Sequence, residues 1–487
     1  MNFPAVTAFS GWNKFLVRIL RALLWIVQLF YGKKRTTPPL HFHDDALHFN
    51  LSDLIYFAYK YYLRPPILDN DNGRTVRFFK NRPPFFSHKD FRITNTTTIT
   101  AAGDLMPYEW IQKKYCTHLW EDIADDFFSS DIIFANLETP IDLSKPPVLV
   151  PEVMLSDMLF NADEEMFEIF SPQLSAISYQ LSEKSNEKLN ENKQSVEKKR
   201  LIADSCKLIA VLSTANNHAL DMGETGVAAT INFLEEKKIL HTGTSRNAEE
   251  KFNFPVVEQN GIRIAFIAYT YSMNKFTNPP DKQWLVNHAE FNLPYLNLYP
   301  IRDMVQYARE KRNADLVVLS LHFSNAYQVY PGAHIIENVK KIFSKCGPDI
   351  ILGNHAHNIQ PAARMDFICP FTKKQKQGFI NFACGDFIAY DIFNWGHLTQ
   401  YLKLHIAKGI NENNETKTFL EKVEFIPVYV CGIYRDKNKR DLRLLDAEKL
   451  NQQIKNNTAP SFLTLHHLKE FEALKFFYEN FISTNRV

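Results

Sequence analysis

Metal-competent side chains follow five apolar runs of the sequence. The runs span residues 98–102, 131–135, 208–212, 315–321 and 349–352. In the same order, the residues after them are Asp104; Asn136 and Glu138; Asn216, Asn217 and His218; His322; and Asn354, His355 and His357. Imidazole nitrogen with carboxylate and amide oxygen is the ligand set of zinc, manganese or iron rather than of calcium. The sequence therefore predicts a site for one or two divalent transition-metal ions.

Such a site needs elements that bring distant residues together. The apolar runs are separated by helical patterns, which is typical of an α/β fold with buried strands. In open α/β folds the loops after the carboxyl ends of strands line the crevice that binds ligands. We therefore expect the five segments to converge. Two metal ions there, about 3.5–4 Å apart, could share a bridging hydroxide that attacks a phosphoryl group.

Each motif also has a structural explanation when taken alone. Gly103–Asp104 is typical of a turn closed by a side-chain hydrogen bond. His322 could be a buried histidine whose hydrogen bonds are satisfied within the core. Strand alternation would place His355 and His357 on one side of the sheet, which favours joint binding of an ion. The recurrence of such residues after five strands favours the metal site over these separate explanations.

Composition divides the chain into four parts. Paired prolines and many aromatics in the second part predict an irregular packed collar. β-Branched runs and helical patterns alternate in the third part, which a charged insertion interrupts. The fourth part has apolar residues at helical spacing. The parts are an anchor segment at 1–38, the collar at 39–95, the α/β domain at 96–435 with its insertion at about 140–205, and a helical extension at 436–487.

The anchor segment predicts association with a membrane. The run Phe15–Tyr31 is largely apolar and precedes a basic cluster at 33–35. A narrow polar stripe on this helix favours an orientation in the plane of the bilayer interface. A single spanning helix and a helix docked on the protein's own core are the alternatives. Basic residues flank the run on both sides, so the side of the membrane that the domain faces is undetermined. The stripe consists of Lys14, Arg18, Arg21, Trp25 and Gln28.

Charge and cysteine content exclude two classes of protein. The formal net charge is only +2, and the body of the chain has no arginine-rich stripe interleaved with aromatics, so we expect no nucleic-acid partner. The six cysteines are far apart and form no CxxC pair, which argues against a zinc ribbon or a disulfide framework.

Several blocks resemble the CapA, or poly-γ-glutamate capsule-synthesis, family within the calcineurin-like metallophosphoesterase superfamily. The most specific block is Ala215–Gly223, which reads ANNHALDMG and precedes a helix and the turn Thr242–Thr244. Gly103–Asp104, Asn136–Glu138 and the segment 353–357 resemble the family's GD, NxE and GHHPH blocks. The resemblance covers about residues 96–435. It implies a layered α/β sandwich in which helices flank central β-sheets.

The resemblance also implies roles for individual residues. His218 would be the catalytic residue, as a proton donor or transition-state stabiliser. The substrate would be a phosphoester or a polyanionic polymer. The implied metal ligands are Asp104, Glu138, Asn217, His322, His355 and His357, and the implied substrate contacts are Asn136, Asn216, Asn354 and Tyr327.

Some blocks depart from the family pattern. The HWGxEY block reads HFSNAY at 322–327, and Asn354 replaces the first histidine of GHHPH. Ala219 stands where phosphoesterases carry a carboxylate after Asn-His, which leaves fewer ligands for a second metal. Asp386 replaces a family asparagine, and we expect it in a surface turn rather than at the metal.

Three functions follow from these observations. The first is a membrane-associated bacterial protein in the assembly or export of a surface polymer such as poly-γ-glutamate, with a metallophosphoesterase-like site. The second is a metal-dependent phosphoester hydrolase unrelated to capsule. The third is a non-catalytic scaffold that binds polymer or the subunits of a polymer synthase, and the altered HWGxEY block favours it.

Overall fold

The computed structural model describes nine stretches of the chain. These are residues 11–31, 47, 49–63, 73–88, 90–154, 158–170, 209–293, 295–436 and 439–483. The greater part of the charged insertion therefore lies outside the described residues.

Fourteen strands are present in the described residues, and they form two β-sheets. The first sheet has the order β14-β13-β12-β1-β2-β3-β4, with β11 beside β1, and the second has the order β5-β6-β7-β8-β10-β9. The strands are β1 (Phe91–Leu105), β2 (Ile132–Leu137), β3 (Ile209–Ser213), β4 (Leu240–Thr242), β5 (Val256–Gln259), β6 (Ile262–Thr270), β7 (Leu316–His322), β8 (Ile350–Asn354), β9 (Ile359–Ile368), β10 (Gln375–Cys384), β11 (Asp386–Ile388), β12 (Leu398–Asn411), β13 (Thr416–Asp436) and β14 (Lys439–Asp446).

The two sheets pack face to face around a shared apolar core. Ile99 and Phe134 from the first sheet and Phe266 and Val318 from the second belong to one buried cluster. The Phe134 and Phe266 rings stack with their centroids 5.7 Å apart. β1, β2 and β3 are mutually parallel, as are β6, β7 and β8, so the carboxyl ends of each set meet at one edge of its sheet.

Helices flank these sheets. Val317 of β7 alternates with the intersheet residues and packs in a second cluster with Met304 and Val339. The mixed α/β sandwich expected from the sequence is thus confirmed. The helices are α1 (Gly11–Tyr31), α2 (Leu51–Tyr62), α3 (Arg74–Lys80), α4 (Ala124–Phe127), α5 (Glu164–Phe170), α6 (Gly223–Glu236), α7 (Tyr299–Glu310), α8 (Ala333–Cys346), α9 (Ala447–Lys455) and α10 (Leu465–Phe477).

The collar and the extension differ from expectation. The collar contains α2 and α3, two helices that its sequence did not predict; α2 begins with a reciprocal capping box between Asn50 and Asp53. The extension contains β14 as well as helices. Leu442 and Leu444 are buried on either side of Arg443, which is a strand period rather than a helical one.

The first helix docks on the protein through one side. Val17 is buried, Asn13 donates a hydrogen bond to Glu152, and Arg21 Nε donates to the Tyr62 carbonyl at 2.9 Å. Arg21 belongs to the stripe expected to face away from apolar surroundings, yet it is turned toward the protein. No helix in the described ranges is long and apolar enough to cross a membrane. The exposed large side chains of α1 are Trp12, Phe15, Ile19, Leu23, Trp25, Ile26 and Leu29.

Candidate metal centre

The five strand-end segments converge, as the sequence predicts. Asp104 Oδ2 accepts a hydrogen bond from the His355 amide at 3.1 Å, which joins the end of β1 to the end of β8. Asp104 Oδ1 accepts from Asn136 Nδ2 at 2.8 Å, near the carboxyl end of β2. His322 Nε2 lies 2.7 Å from Asn217 Oδ1, which joins β7 to the loop after β3. All of these residues are buried.

Two groups of side chains each offer three ligand atoms within 4.8 Å of one another. The first group is Glu138, His322 and His355, and the second is Asp104, His357 and Asp386. The imidazole rings of His322 and His355 are 4.9 Å apart, and those of His355 and His357 are 5.6 Å apart. The two groups therefore adjoin and form one centre.

In the part of the chain that the structure describes, several ligand atoms of this centre have no hydrogen-bond partner. Within the described part of the chain, neither oxygen of the fully buried Glu138 accepts a hydrogen bond, although His322 Nε2 lies 3.5 Å from Oε1, and His355 Nδ1 has no partner. A buried carboxylate without donors is strongly unfavourable. A divalent transition metal would satisfy Glu138, His322 and His355 together, because oxygen and imidazole donors suit zinc, manganese and iron. The residues present fit such an ion.

The protonation of the first group also suits a cation. Burial raises the pKa of Glu138 to about 7, and burial together with the charge of Glu138 raises the pKa of Asp104 well above its ordinary value. Burial lowers the pKa of His322 to about 3 and that of His355 well below its usual range. The two imidazoles are therefore neutral and keep a lone pair for a metal, and a bound cation would restore the carboxylates.

His357 and Asp386 form a buried ion pair next to this group. His357 Nδ1 lies 2.9 Å from Asp386 Oδ1. Burial alone would lower the pKa of His357, but the Asp386 carboxylate outweighs this effect and raises the pKa to about 10.

Asp386 is paired with Asp104 in register between β11 and β1 and is buried, so the expectation that it lies in a surface turn was wrong. A Cβ on Gly103 would lie 1.8 Å from the Gly385 carbonyl oxygen, so this close approach requires glycine.

The histidine pair is positioned by the backbone and not by strand alternation. β8 ends at Asn354, and His355 and His357 have φ of 87° and 57°. Tyr327, whose ring stacks on His357 with centroids 4.9 Å apart, has a φ of 55°. Non-glycine residues seldom adopt positive φ, and such strained positions cluster at functional sites. The predicted proximity of the two imidazoles was correct, but the predicted reason was wrong.

His218 is held in one orientation beside the centre. Its Nδ1 lies 2.6 Å from Asp221 Oδ2, and its ring stacks on Phe160 with centroids 3.6 Å apart. Asp221 Oδ2 also accepts a hydrogen bond from the Phe160 amide at 2.6 Å. With Nδ1 turned to Asp221, Nε2 is the ring nitrogen that would serve a substrate. Asp221 was read in the sequence only as part of a family block.

Three asparagines expected to contact substrate make framework hydrogen bonds. Asn216 donates to the Leu137 carbonyl at 2.7 Å and accepts from the His218 amide at 3.1 Å. Asn354 Nδ2 donates to Ser320 Oγ at 3.4 Å, and Asn136, as above, donates to Asp104. Their substrate-binding role stays a prediction. Tyr327, the fourth, lines the cavity beside the centre.

Sequence reasoning missed a sixth strand end. Tyr271 follows β6, and its hydroxyl lies 2.9 Å from His355 Nε2. Asn274 Oδ1 accepts a hydrogen bond from Asn217 Nδ2 at 3.1 Å. The run of β6 is apolar like the other five, so the same pattern of a buried strand followed by polar residues was available.

Known proteins share the central part of this chain. Residues 197–391 match the family model described as bacterial capsule synthesis protein PGA_cap. The chain is 27% identical over 180 residues to capsule biosynthesis protein CapA of Bacillus anthracis, and 26% identical over 245 residues to PGA biosynthesis protein CapA of Bacillus subtilis (strain 168). Over these residues the chain is similar to the CapA family. The alignments cover 37% and 48% of this chain but only 39% and 60% of the two relatives.

The CapA match contains only part of the metal centre. Asn217, His322, His355 and His357 lie within the matched residues, whereas Asp104 and Glu138 precede them. Among solved structures, purple acid phosphatase PPD1 from yellow lupin (Lupinus luteus) seeds aligns with 67% of this chain and 54% of that chain, at 10% identity and a TM-score of 0.28. That score is too low to establish a shared fold. The geometry of the centre is therefore evidence independent of that structure.

Proposed function

We propose that this CapA-family protein is a metal-dependent phosphoesterase that acts in the synthesis or export of a capsule polymer resembling poly-γ-glutamate. The two curated relatives, whose names state capsule and PGA biosynthesis, support the link to a surface polymer. The observation that carries the enzymatic part is the buried set of Glu138, His322 and His355, whose ligand atoms lie within 4.8 Å of one another while neither Glu138 oxygen accepts a hydrogen bond from the described residues. A scaffold has no need of such an arrangement, because it is costly unless an ion occupies it.

The residues of the centre would have different roles around one or two zinc, manganese or iron ions. An ion bound there would act as a Lewis acid and would lower the pKa of a water molecule that it holds. Asp104, Glu138, Asn217, His322, His355 and His357 are the proposed ligands, joined by Asp386; His357, which is protonated while paired with Asp386, would release a proton on binding the ion. His218 faces the same cavity and would donate a proton to the departing oxygen. Tyr271 fixes His355 through its hydroxyl.

Metal content tests this function directly. Asp104→Ala and His355→Ala should each lower the manganese or zinc retained per chain and abolish metal-dependent hydrolysis of nitrophenyl phosphate, because each removes a buried ligand. Elemental analysis and an initial-rate assay measure the two effects. His405→Ala is the control, since His405 is half-buried and pairs with Glu424 away from the centre. If the wild-type protein, after incubation with either metal, retains none and hydrolyses no phosphate ester, the function is refuted.

We also propose that the exposed side of α1 lies on the bacterial membrane surface. Phe15, Ile19 and Ile26 are exposed although the opposite side of the helix is docked on the protein. A contiguous exposed apolar face of this kind marks an interaction site. Arg18 at its edge, together with the basic cluster at 33–35 in the sequence, would complement anionic lipid headgroups.

Vesicle sedimentation tests the membrane proposal. The wild-type protein should pellet with vesicles of anionic phosphatidylglycerol. It should bind more weakly to vesicles of phosphatidylcholine, and raised salt should weaken its binding to the anionic vesicles. The double variant Phe15→Glu and Ile26→Glu should remain in the supernatant, because both carboxylates would face the hydrocarbon. Phe476→Glu, at another exposed apolar side chain on α10, should pellet like the wild type. Equal pelleting of all three proteins would contradict the proposal.

A further inference from the structure

A cavity of about 190 Å³ adjoins the metal centre, and much of its wall is apolar. One part of the wall consists of His218, His355, His357 and Asn217. The remainder includes aromatic, aliphatic and thioether side chains, among them Phe49, Phe57, Met154, Met158, Leu159 and Phe276. The cavity thus combines a centre suited to phosphate with a surface suited to an apolar group.

The apolar wall is fixed to the metal centre through α2. The Phe57 ring contacts Tyr327 edge-on with centroids 5.3 Å apart, and Tyr327 stacks on His357. The buried Lys60 Nζ donates a hydrogen bond to the Ala326 carbonyl at 2.7 Å, and the Tyr61 hydroxyl donates to Asp391 at 2.6 Å. These contacts hold Phe57 in place, so the part of the wall that α2 contributes is preformed.

Much of this wall lies outside the region shared with the capsule synthesis family model. Phe49 and Phe57 come from the collar, and Met154, Met158 and Leu159 precede residue 197, where the match begins. The collar therefore has a role that its sequence did not reveal, because it closes one side of the cavity. A wall added to the family's matched region would determine which substrate this chain accepts.

The chemistry of the wall favours a flexible aliphatic chain. Thioether side chains such as Met154 and Met158 are unbranched and adapt to irregular apolar shapes. Leu159 and Phe276 at the rim are 45% and 36% exposed, so an apolar group would still gain by covering them. Lys275, also at the rim, would complement the charge of a phosphate.

We infer that the substrate is a phosphate ester of a long aliphatic alcohol, an inference that rests on the proposed phosphoesterase function. The phosphate would lie at the metal centre and the chain along Phe57, Met158 and Leu159. Hydrolysis would form one bond from a water oxygen to phosphorus and break the bond from phosphorus to the alcohol oxygen. The alcohol would leave with a proton, and inorganic phosphate would remain.

Alkylphosphonates test this inference without turnover, since their carbon–phosphorus bond is not hydrolysed. Calorimetry with the manganese-loaded protein should give octylphosphonate, used below its micelle concentration, at least about tenfold tighter binding than ethylphosphonate. That gain corresponds to burial of about two methylene groups. The double variant Met158→Gln and Leu159→Asn should lose most of the difference in affinity between the two phosphonates. Leu143→Asn, at a leucine that is 54% exposed and lies outside the cavity, is the matched control and should keep the difference in affinity between the two phosphonates.

The outcomes separate this inference from the proposed function. Equal affinity for the two phosphonates, in a protein that still hydrolyses nitrophenyl phosphate, would overturn the aliphatic substrate and leave the phosphoesterase intact. Chain-length-dependent binding without any metal-dependent hydrolysis would support the apolar subsite and overturn the phosphoesterase. An equal loss of octylphosphonate affinity in the control and in the double variant would also overturn the assignment of the wall.

Discussion

His218 shows how single contacts give a residue a chemical role. The 2.6 Å contact of its Nδ1 with Asp221 fixes the ring, and the stacked Phe160 prevents it from turning. A proton donor must be oriented in this way, because transfer requires hydrogen-bond distance to the reacting oxygen. Asp221 is thus a positioning residue that acts through His218.

Substrates with different leaving groups test the role of His218. His218→Gln should lower kcat for an alkyl phosphate by about 10²–10⁴-fold, because the departing alkoxide needs a proton. The loss should be much smaller for nitrophenyl phosphate, whose phenolate leaves without one. Asp221→Asn should also lower kcat for the alkyl phosphate more than for nitrophenyl phosphate, but by a smaller factor than His218→Gln. Steady-state kinetics on both substrates, with metal content checked in each variant, measure this.

An equal loss of kcat for both substrates would argue against His218 as the proton donor. If His218→Gln lowers kcat equally for the alkyl and aryl substrates and also lowers bound metal, His218 helps to hold the ion and is not the proton donor. His405→Gln, remote from the centre, should change neither substrate's rate.

At the scale of elements, the sequence predicted the strands better than the loops. The apolar runs before Asp104, His322 and His355 were long enough to identify buried strands, and chain connectivity then placed their carboxyl ends together. The short strand β11 escaped this reasoning, because three residues give no periodicity. Asp386, which it contributes, was therefore assigned to the surface.

Features that depend on tertiary contacts could not be predicted in this way. The positive φ of His355 and His357 is maintained by the surrounding packing and not by their residue types. The orientation of α1 was likewise hidden, since Arg21 faces the protein to reach the Tyr62 carbonyl. Hydrophobic periodicity defines the two sides of a helix but does not tell which side meets the core.

At the scale of the whole molecule, one carboxylate joins four elements at the end of the second sheet remote from the candidate metal centre. Asp349 precedes β8 and accepts hydrogen bonds from Arg309 of α7 at 2.6 Å, from Lys376 of β10 at 2.6 Å and from the Val317 amide of β7 at 2.8 Å. Burial raises the pKa of this carboxyl, but the two cations outweigh it and hold the pKa at about 2. The centre at the other ends of these strands depends on their staying aligned.

The pH dependence of stability tests this network. Because the folded pKa of Asp349 is below the unfolded value, its stabilisation is fully present above about pH 4 and is lost as the pH falls toward 2. Asp349→Asn should therefore lower the free energy of unfolding by about 2–3 kcal/mol at pH 7 and by roughly half as much at pH 3. Urea denaturation at pH 7, 4 and 3 measures the difference. Asp366→Asn, in a more exposed pair with Arg364, should cost less than about 1 kcal/mol throughout. A cost for Asp349→Asn that is the same at pH 7 and pH 3 would show that the charge of this carboxylate does not hold the sheet to its helix.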